Sequence, residues 1–397
     1  MKKLFSFMGC CLLAACSSHQ PGEISGSLSG VGSDTLLVRS FVLDPTNTGR
    51  PELDLDTVPL VNGKFSFNLE SNALRMVQIG ELPSSKPNPD GSIPAASMEV
   101  IYFALLPGKS VTIEGSLHNY KLGGDPFYES LSQLDTEIYP IMQKIDSVSA
   151  DYRRMTQKGV SEEKIQEIAA QMNSLQQNIK ETYVRFIKEH AEQDVSAYLL
   201  AMEGNRLGDA IGELLDLIAE PVRNGVMVPM YQSIKQSYEY QVARQKAKEK
   251  IKEGAPAPEF TLKDINGKDF ALSSLKGKYV ILDFWGSWCG WCIKGIPDLK
   301  KAYEKYKGQL EIVGIDCNDT EEKWKAAVEK HTLPWIHVRN EGDPDVTLLY
   351  GIEGFPTKII LDKEGNIVKT VVGEDPEFYK HLDALMKKRI KKSSEKR

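Results

Sequence analysis

Tyr279-Val280-Ile281-Leu282-Asp283-Phe284-Trp285 is followed three residues later by Cys289-Gly290-Trp291-Cys292, and this stretch decides the fold. The first seven residues are apolar apart from Asp283, the composition of a strand buried on both faces. From Cys289 to about Tyr306 the pattern predicts a helix, so two thiols fall at a strand-to-helix turn. A thiolate is the nucleophile of disulfide exchange, and the unpaired N–H groups and positive potential of a helix N-terminus lower a thiol pKa. Cys289, outside the first turn, is the expected attacking thiolate. Cys292, one turn inward, is the expected resolving thiol. The pair could instead be half of a zinc site, but zinc needs two more ligands. The six histidines are scattered and no second C-x-x-C exists. The expectation is redox chemistry with no metal and no cofactor beyond the Cys289–Cys292 couple.

Working outward, Gly254-Ala255-Pro256-Ala257-Pro258 reads as a linker. Beyond it strand and helix patterns alternate: a strand over 311–316, a helix over 321–330, a strand over 335–338 and a short helix over 345–350. A hairpin over 358–372 and a last helix over 376–388 follow. Such alternation predicts an α/β domain with a partly parallel sheet. Trp288 and Trp291 flank thiols that must be reached, so an apolar docking rim is favoured over core packing. A carboxylate buried in a strand, as at Asp283, should hold its proton unusually well. It is either simply buried and hydrogen-bonded or a proton relay for Cys292.

Over roughly 254–390 these residues resemble the thioredoxin superfamily. Asp283-Phe284-Trp285 lies six residues before the first cysteine, as in thioredoxin, and Pro297 follows Cys292 by five. Tyr350-Gly351-Ile352 with Gly354-Phe355-Pro356-Thr357 matches the segment ending in the cis-proline loop, and Gly373 the glycine closing the last strand. The resemblance implies that Asp283 relays a proton and that Pro356, in cis, presents the backbone of Phe355 to an extended substrate peptide. A plain turn proline is the alternative. The longer segment between Asp316 and Tyr350 and the lead strands near Phe260 look like the TlpA/ResA group of membrane-tethered thioredoxins. That group often has Glu three residues after the second cysteine, where this chain has Gly295, a departure that argues against a dedicated part in cytochrome c biogenesis. No His lies between the cysteines, which favours a reductase. Neither cysteine follows a Pro-x-x-x-Thr pattern, which disfavours a peroxidase. Cys317, after a strand, reads as packing.

Upstream the period changes. From Phe127 to Tyr152 and from Ile165 to Thr182 apolar residues recur every three or four positions, predicting two amphipathic helices in an antiparallel hairpin. Ser161 is the expected N-cap of the second, with Glu162 and Glu163 in its first turn. Pro140 should kink or bound the first. Shorter helices are expected near Ser196 and Leu207 and another from about 230 to 250, giving a helical domain over 121–250. Residues 23–120 carry only strand and turn signals, among them Asn62-Gly63 before the alternating Lys64-Phe65-Ser66-Phe67. They predict a small antiparallel, sandwich-like β domain, similar to the N-terminal domain of unassigned role that often precedes thioredoxin-like domains in envelope lipoproteins.

At the N-terminus Lys2 and Lys3 precede an apolar run from Leu4 to Ala15, the form of a signal peptide over 1–15. Leu13-Ala14-Ala15-Cys16 resembles the lipobox of bacterial lipoproteins, which implies diacylglycerol on Cys16 and a tether over 16–22. Acyl chains on one residue give a stable membrane anchor. Of six cysteines, Cys289, Cys292 and Cys317 then remain as thiols, too few for a disulfide-stapled scaffold. The formal net charge of −6 leaves no basic footprint for nucleic acid.

The expected whole is a multidomain envelope protein: a β domain, a helical domain and a C-terminal α/β domain. It faces the periplasm from a lipid anchor. Ser17 after Cys16 favours the outer membrane by analogy with the sorting rule of some bacteria. Its expected partners are disulfide-bearing proteins and a membrane thiol electron donor. The rivals are a disulfide oxidase or isomerase, and a ligand-binding lipoprotein with an accessory thioredoxin domain.

Overall fold

The computed structural model describes residues 20–43, 51–69, 72–82, 99–157 and 159–394, with side chains to 387. The chain divides between Tyr238 and Glu239 into two compact units.

Among its described residues the first unit begins with eight strands: β1 (Glu23–Leu28), β2 (Thr35–Val42), β3 (Asp54–Pro59), β4 (Lys64–Asn68), β5 (Arg75–Glu81), β6 (Val100–Leu105), β7 (Val111–Gly115) and β8 (Tyr120–Gly123). They form two four-stranded sheets, ordered β4-β1-β7-β8 and β3-β2-β5-β6. The pairing is antiparallel as expected except at one place, where β1 runs parallel to β7. Parallel neighbours need a long connection, and the whole second sheet is inserted between these two strands. Asn62 and Gly63 both take positive φ, 54° and 75°, which suits the tight turn before β4.

Helices follow: α1 (Pro126–Thr156), α2 (Glu162–Glu189), α3 (Asp194–Met202), α4 (Gly204–Leu207), α5 (Ile211–Leu217), α6 (Glu220–Arg223) and α7 (Val228–Lys248). Ser161 caps α2, its hydroxyl accepting from the Lys164 N–H at 3.4 Å. Helix α1 continues through Pro140 instead of ending there. Pro140 lies on the exposed face, where water can satisfy the carbonyl it frees, while the apolar seam of Ile138, Ile141 and Ile145 continues on the other side.

The strands and the helices of the first unit pack on each other. Ile24, Leu36 and Phe103 from the strands share one core with Phe127, Ile179 and Leu200 from the helices. The Tyr128 hydroxyl stitches α1 to β6, accepting from the Leu106 N–H at 3.2 Å and donating to the Ala104 carbonyl at 3.0 Å.

The second unit contains β9 (Thr261–Lys263), β10 (Asp269–Ala271), β11 (Tyr279–Trp285), α8 (Gly290–Lys305), β12 (Leu310–Asp316), α9 (Glu321–Lys330), β13 (Ile336–Arg339), α10 (Val346–Leu349), β14 (Thr357–Leu361), β15 (Ile367–Val372) and α11 (Pro376–Ser394). Its five-stranded sheet is ordered β13-β12-β11-β14-β15. Strands β11, β12 and β13 are parallel, and β14 is antiparallel to both β11 and β15. All seven residues of the central β11 are buried. Alternation sends Tyr279, Ile281 and Trp285 into a core with α8 and α11, and Val280, Leu282 and Phe284 into a second core with Phe260 and Tyr350. By the same parity Asp283 faces α8. The linker over 254–258 is hydrogen-bonded to the second unit: Gly254 donates to the Ile367 carbonyl at 2.7 Å and Ala257 to that of Gly365 at 2.9 Å. The division between units falls earlier, inside α7.

Candidate active site

Cys289 and Cys292 are joined as a disulfide at the start of α8, with Cα atoms 5.3 Å apart. Cys289 is the N-cap, and its Sγ accepts from the Cys292 N–H at 3.2 Å. The helix therefore aims an otherwise unpaired donor at the outer sulfur. Both cysteines are only 6% exposed, whereas Trp288 and Trp291 are 52% and 62% exposed. The indoles thus stand out of the surface around a recessed sulfur pair.

The loop that delivers Cys289 is tied down twice. Trp288 Nε1 donates to the Cys317 carbonyl at 2.9 Å, and a Cβ on Gly286 would collide with that indole. Ser287 donates its N–H at 2.6 Å and its hydroxyl at 2.7 Å to the two carboxylate oxygens of Asp319. Burial pushes Asp319 up, but hydrogen bonds involving Asp316 and Ser287 hold it below the usual carboxylate range. Asp316, fully enclosed beside it, is pushed up to about 8 by burial and by Asp319. Burial likewise pushes the thiol of Cys317 well above the usual range, so this cysteine is a packed, protonated side chain.

The Phe355–Pro356 peptide is cis, and the Pro356 carbonyl accepts from the Gly373 N–H at 2.7 Å. The Phe355 ring meets Trp288 edge to face at 5.3 Å. Lys294 lies over the Trp291 ring at 4.7 Å. The tryptophan rim, the cis-proline step and the disulfide are thereby linked through Trp288. Cys16 lies outside the described residues.

Asp283 is enclosed on the face of β11 that it shares with Ile281 and Trp285, and its Oδ1 makes no hydrogen bond among the described residues. Burial pushes it up to about 6, against the pull of Lys358 and with a further push from Glu374. Lys358, its register partner on β14, stands 3.9 Å away and pairs with Glu374.

The family model described as AhpC/TSA matches residues 254–370. The thiol–disulfide oxidoreductase ResA of Bacillus thuringiensis (strain Al Hakam) is 35% identical over 142 residues, covering 36% of this chain and 80% of the relative. The chain is a ResA-like member of the thioredoxin superfamily. ResA of Bacillus subtilis (strain 168) is 38% identical over 138 residues, covering 34% of this chain and 75% of the relative. Among solved structures, the thioredoxin domain of a thiol–disulfide oxidoreductase from Bacteroides vulgatus is 36% identical, covering 34% of this chain and 97% of that one, with a TM-score of 0.32. Its relatedness to the ResA proteins makes the chain a thiol–disulfide oxidoreductase.

Lys358, Glu374 and Asp319 escaped sequence reasoning. Each is one charged residue among 104 in the chain, and none sits at a diagnostic spacing from the cysteines. Lys358 alone had a usable signal: a lysine in an apolar strand directly after the cis-proline segment.

Proposed function

We propose that the chain is a lipid-anchored disulfide reductase that faces the periplasm and acts on disulfides of envelope proteins. The observation that carries this reading is the N-cap placement of Cys289, whose sulfur already accepts the Cys292 N–H. In the reduced enzyme the same donor and the helix potential favour the Cys289 thiolate. That thiolate attacks one sulfur of a substrate disulfide, forming a mixed disulfide and releasing one substrate thiolate. Cys292 passes its proton to Asp283 and attacks the Cys289 sulfur. The second substrate thiolate leaves, two electrons have passed to the substrate, and the Cys289–Cys292 disulfide remains. A membrane thiol carrier then returns two electrons. Trp288, Trp291 and Phe355 form the apolar surface on which the peptide lies, with Pro356 exposing the backbone of Phe355 to it. The lipobox supports anchoring through Cys16, and Ser17 the outer membrane.

The test has three arms. Cys292→Ser should accumulate mixed disulfides on non-reducing gels, because attack proceeds and resolution does not, whereas Cys289→Ser should trap nothing. The reverse pattern would exchange the two roles. A glutathione titration of the couple should give a midpoint nearer about −270 mV, as in thioredoxin, than about −120 mV, as in strong oxidases. A midpoint above about −180 mV would replace the reductase with an oxidase or isomerase. For the anchor, Cys16→Ser should release the protein from membranes or leave its signal uncut. A processed form that still sediments with membranes would sink the lipid assignment.

A further inference from the structure

Gly295 stands three residues after Cys292 on the buried side of α8, and a Cβ there would overlap the carboxylate of Glu374. Glycine inside a helix is destabilising relative to alanine, and here its bareness seats an acid from beyond β15 against the helix that carries the cysteines. That carboxylate pairs with the ammonium of Lys358, whose side chain is almost wholly enclosed. Lys358 lies opposite Asp283 in the β11–β14 register, yet its Nζ stays 3.9 Å from Asp283 Oδ1, outside hydrogen-bond reach. Among the described residues neither the buried Asp283 Oδ1 nor the Tyr379 hydroxyl of α11 finds a hydrogen-bond partner. One ammonium therefore serves two carboxylates, and Glu374 holds it. A second anion in an enclosed site with one cation lacks a full counter-charge and is disfavoured.

We propose that Glu374 is a positioning residue for the redox centre: by engaging Lys358 it withholds that ammonium from Asp283, which is left without a counter-charge and can exchange a proton with Cys292. The inference rests on reading Asp283 as the proton carrier. The groups facing this cluster agree with it in sign. Burial raises Asp283, Lys358 on β14 opposes the rise, and Glu374 adds to it. Tyr379 on α11 is raised by burial and by the charges of Glu374, Asp283 and Asp298. Cys317 after β12 is raised by burial and by neighbouring acids including Asp283.

The test is a carboxyl-carbon NMR titration of Asp283 in the oxidised full-length protein, with its signal assigned by loss in Asp283→Asn. Glu374→Gln should lower the Asp283 midpoint by about one to two pH units, because Lys358 becomes free to pair with it. Gly295→Ala, which displaces Glu374 and changes no charge, should shift it the same way. Lys358→Met should raise the midpoint. Midpoints unmoved or raised in both Glu374→Gln and Gly295→Ala would overturn the proposal, and those two variants decide it even where Lys358→Met does not fold. The pH profile of insulin reduction by the same variants separates the two readings. If the Asp283 midpoint moves as expected and the profile does not follow, the Glu374–Lys358 control stands and Asp283 is not the proton carrier.

Discussion

At the residue scale the cluster beside the disulfide is a balance between one lysine, the buried Asp283 and the half-buried Glu374, and that balance has a cost in stability. Asp283 titrates near 6 in the folded chain, pushed up by burial, whereas an unfolded aspartate titrates near about 3.9. Between these values the folded state binds more protons than the unfolded state. The contribution of Asp283 is therefore fully present below the unfolded value and is lost as pH rises through the folded one. Two pKa units correspond to about 3 kcal/mol. Asp283→Asn removes this dependence. The stability of the variant relative to the parent should climb from near zero at about pH 4 to about 3 kcal/mol by about pH 7, as read by denaturant titration of the oxidised proteins. A difference that stays flat with pH would show that Asp283 titrates normally. Asp316, pushed up to about 8, tilts both proteins alike and cancels in the comparison.

At the element scale, α8 and the loop before it behave as one device. The helix supplies the N–H that meets the Cys289 sulfur, and Asp319 holds the approach to it through two charge-assisted hydrogen bonds from Ser287. Asp319→Ala leaves the Ser287 N–H unpaired, which costs about 1–3 kcal/mol. The second unit of that variant should unfold at correspondingly lower denaturant, and insulin reduction should slow because Cys289 is no longer fixed at the cap. Unchanged stability would mean that water replaces Asp319 at no cost. The same contrast between local signal and packing governs α1. Pro140 signals a break, but the helix buries Ile138 before it and half-buries Ile141 and Ile145 after it, and on an exposed face one lost backbone bond does not outweigh that burial.

At the scale of the whole molecule the chain has two units with separate cores. The strands and helices of the first share a single core, and the second has one core on each face of its sheet. Units with separate cores unfold as separate cooperative transitions. Calorimetry of the oxidised protein should resolve two. Reducing Cys289–Cys292 should move only the one belonging to residues 239–397, since both cysteines lie in that unit. Equal shifts in both transitions would contradict independent cores.

The sequence by itself determined the thiol pair, its strand-to-helix setting, the alternation of the α/β unit, the helical hairpin with its Ser161 cap, and the burial of Asp283. All of these are local: each depends on spacing along a few turns or strand residues, which periodicity and capping chemistry report directly. Tertiary structure alone decided the parallel β1–β7 pairing, the fusion of strands and helices into one core, and the boundary inside α7. It also decided the meeting of Lys358, Glu374 and Gly295 beside Asp283. Gly295 and Glu374 are 79 residues apart in sequence, and only the packing of α8 against the end of β15 brings them together. Such contacts depend on which faces the folded sheet buries, and no spacing along the chain encodes that.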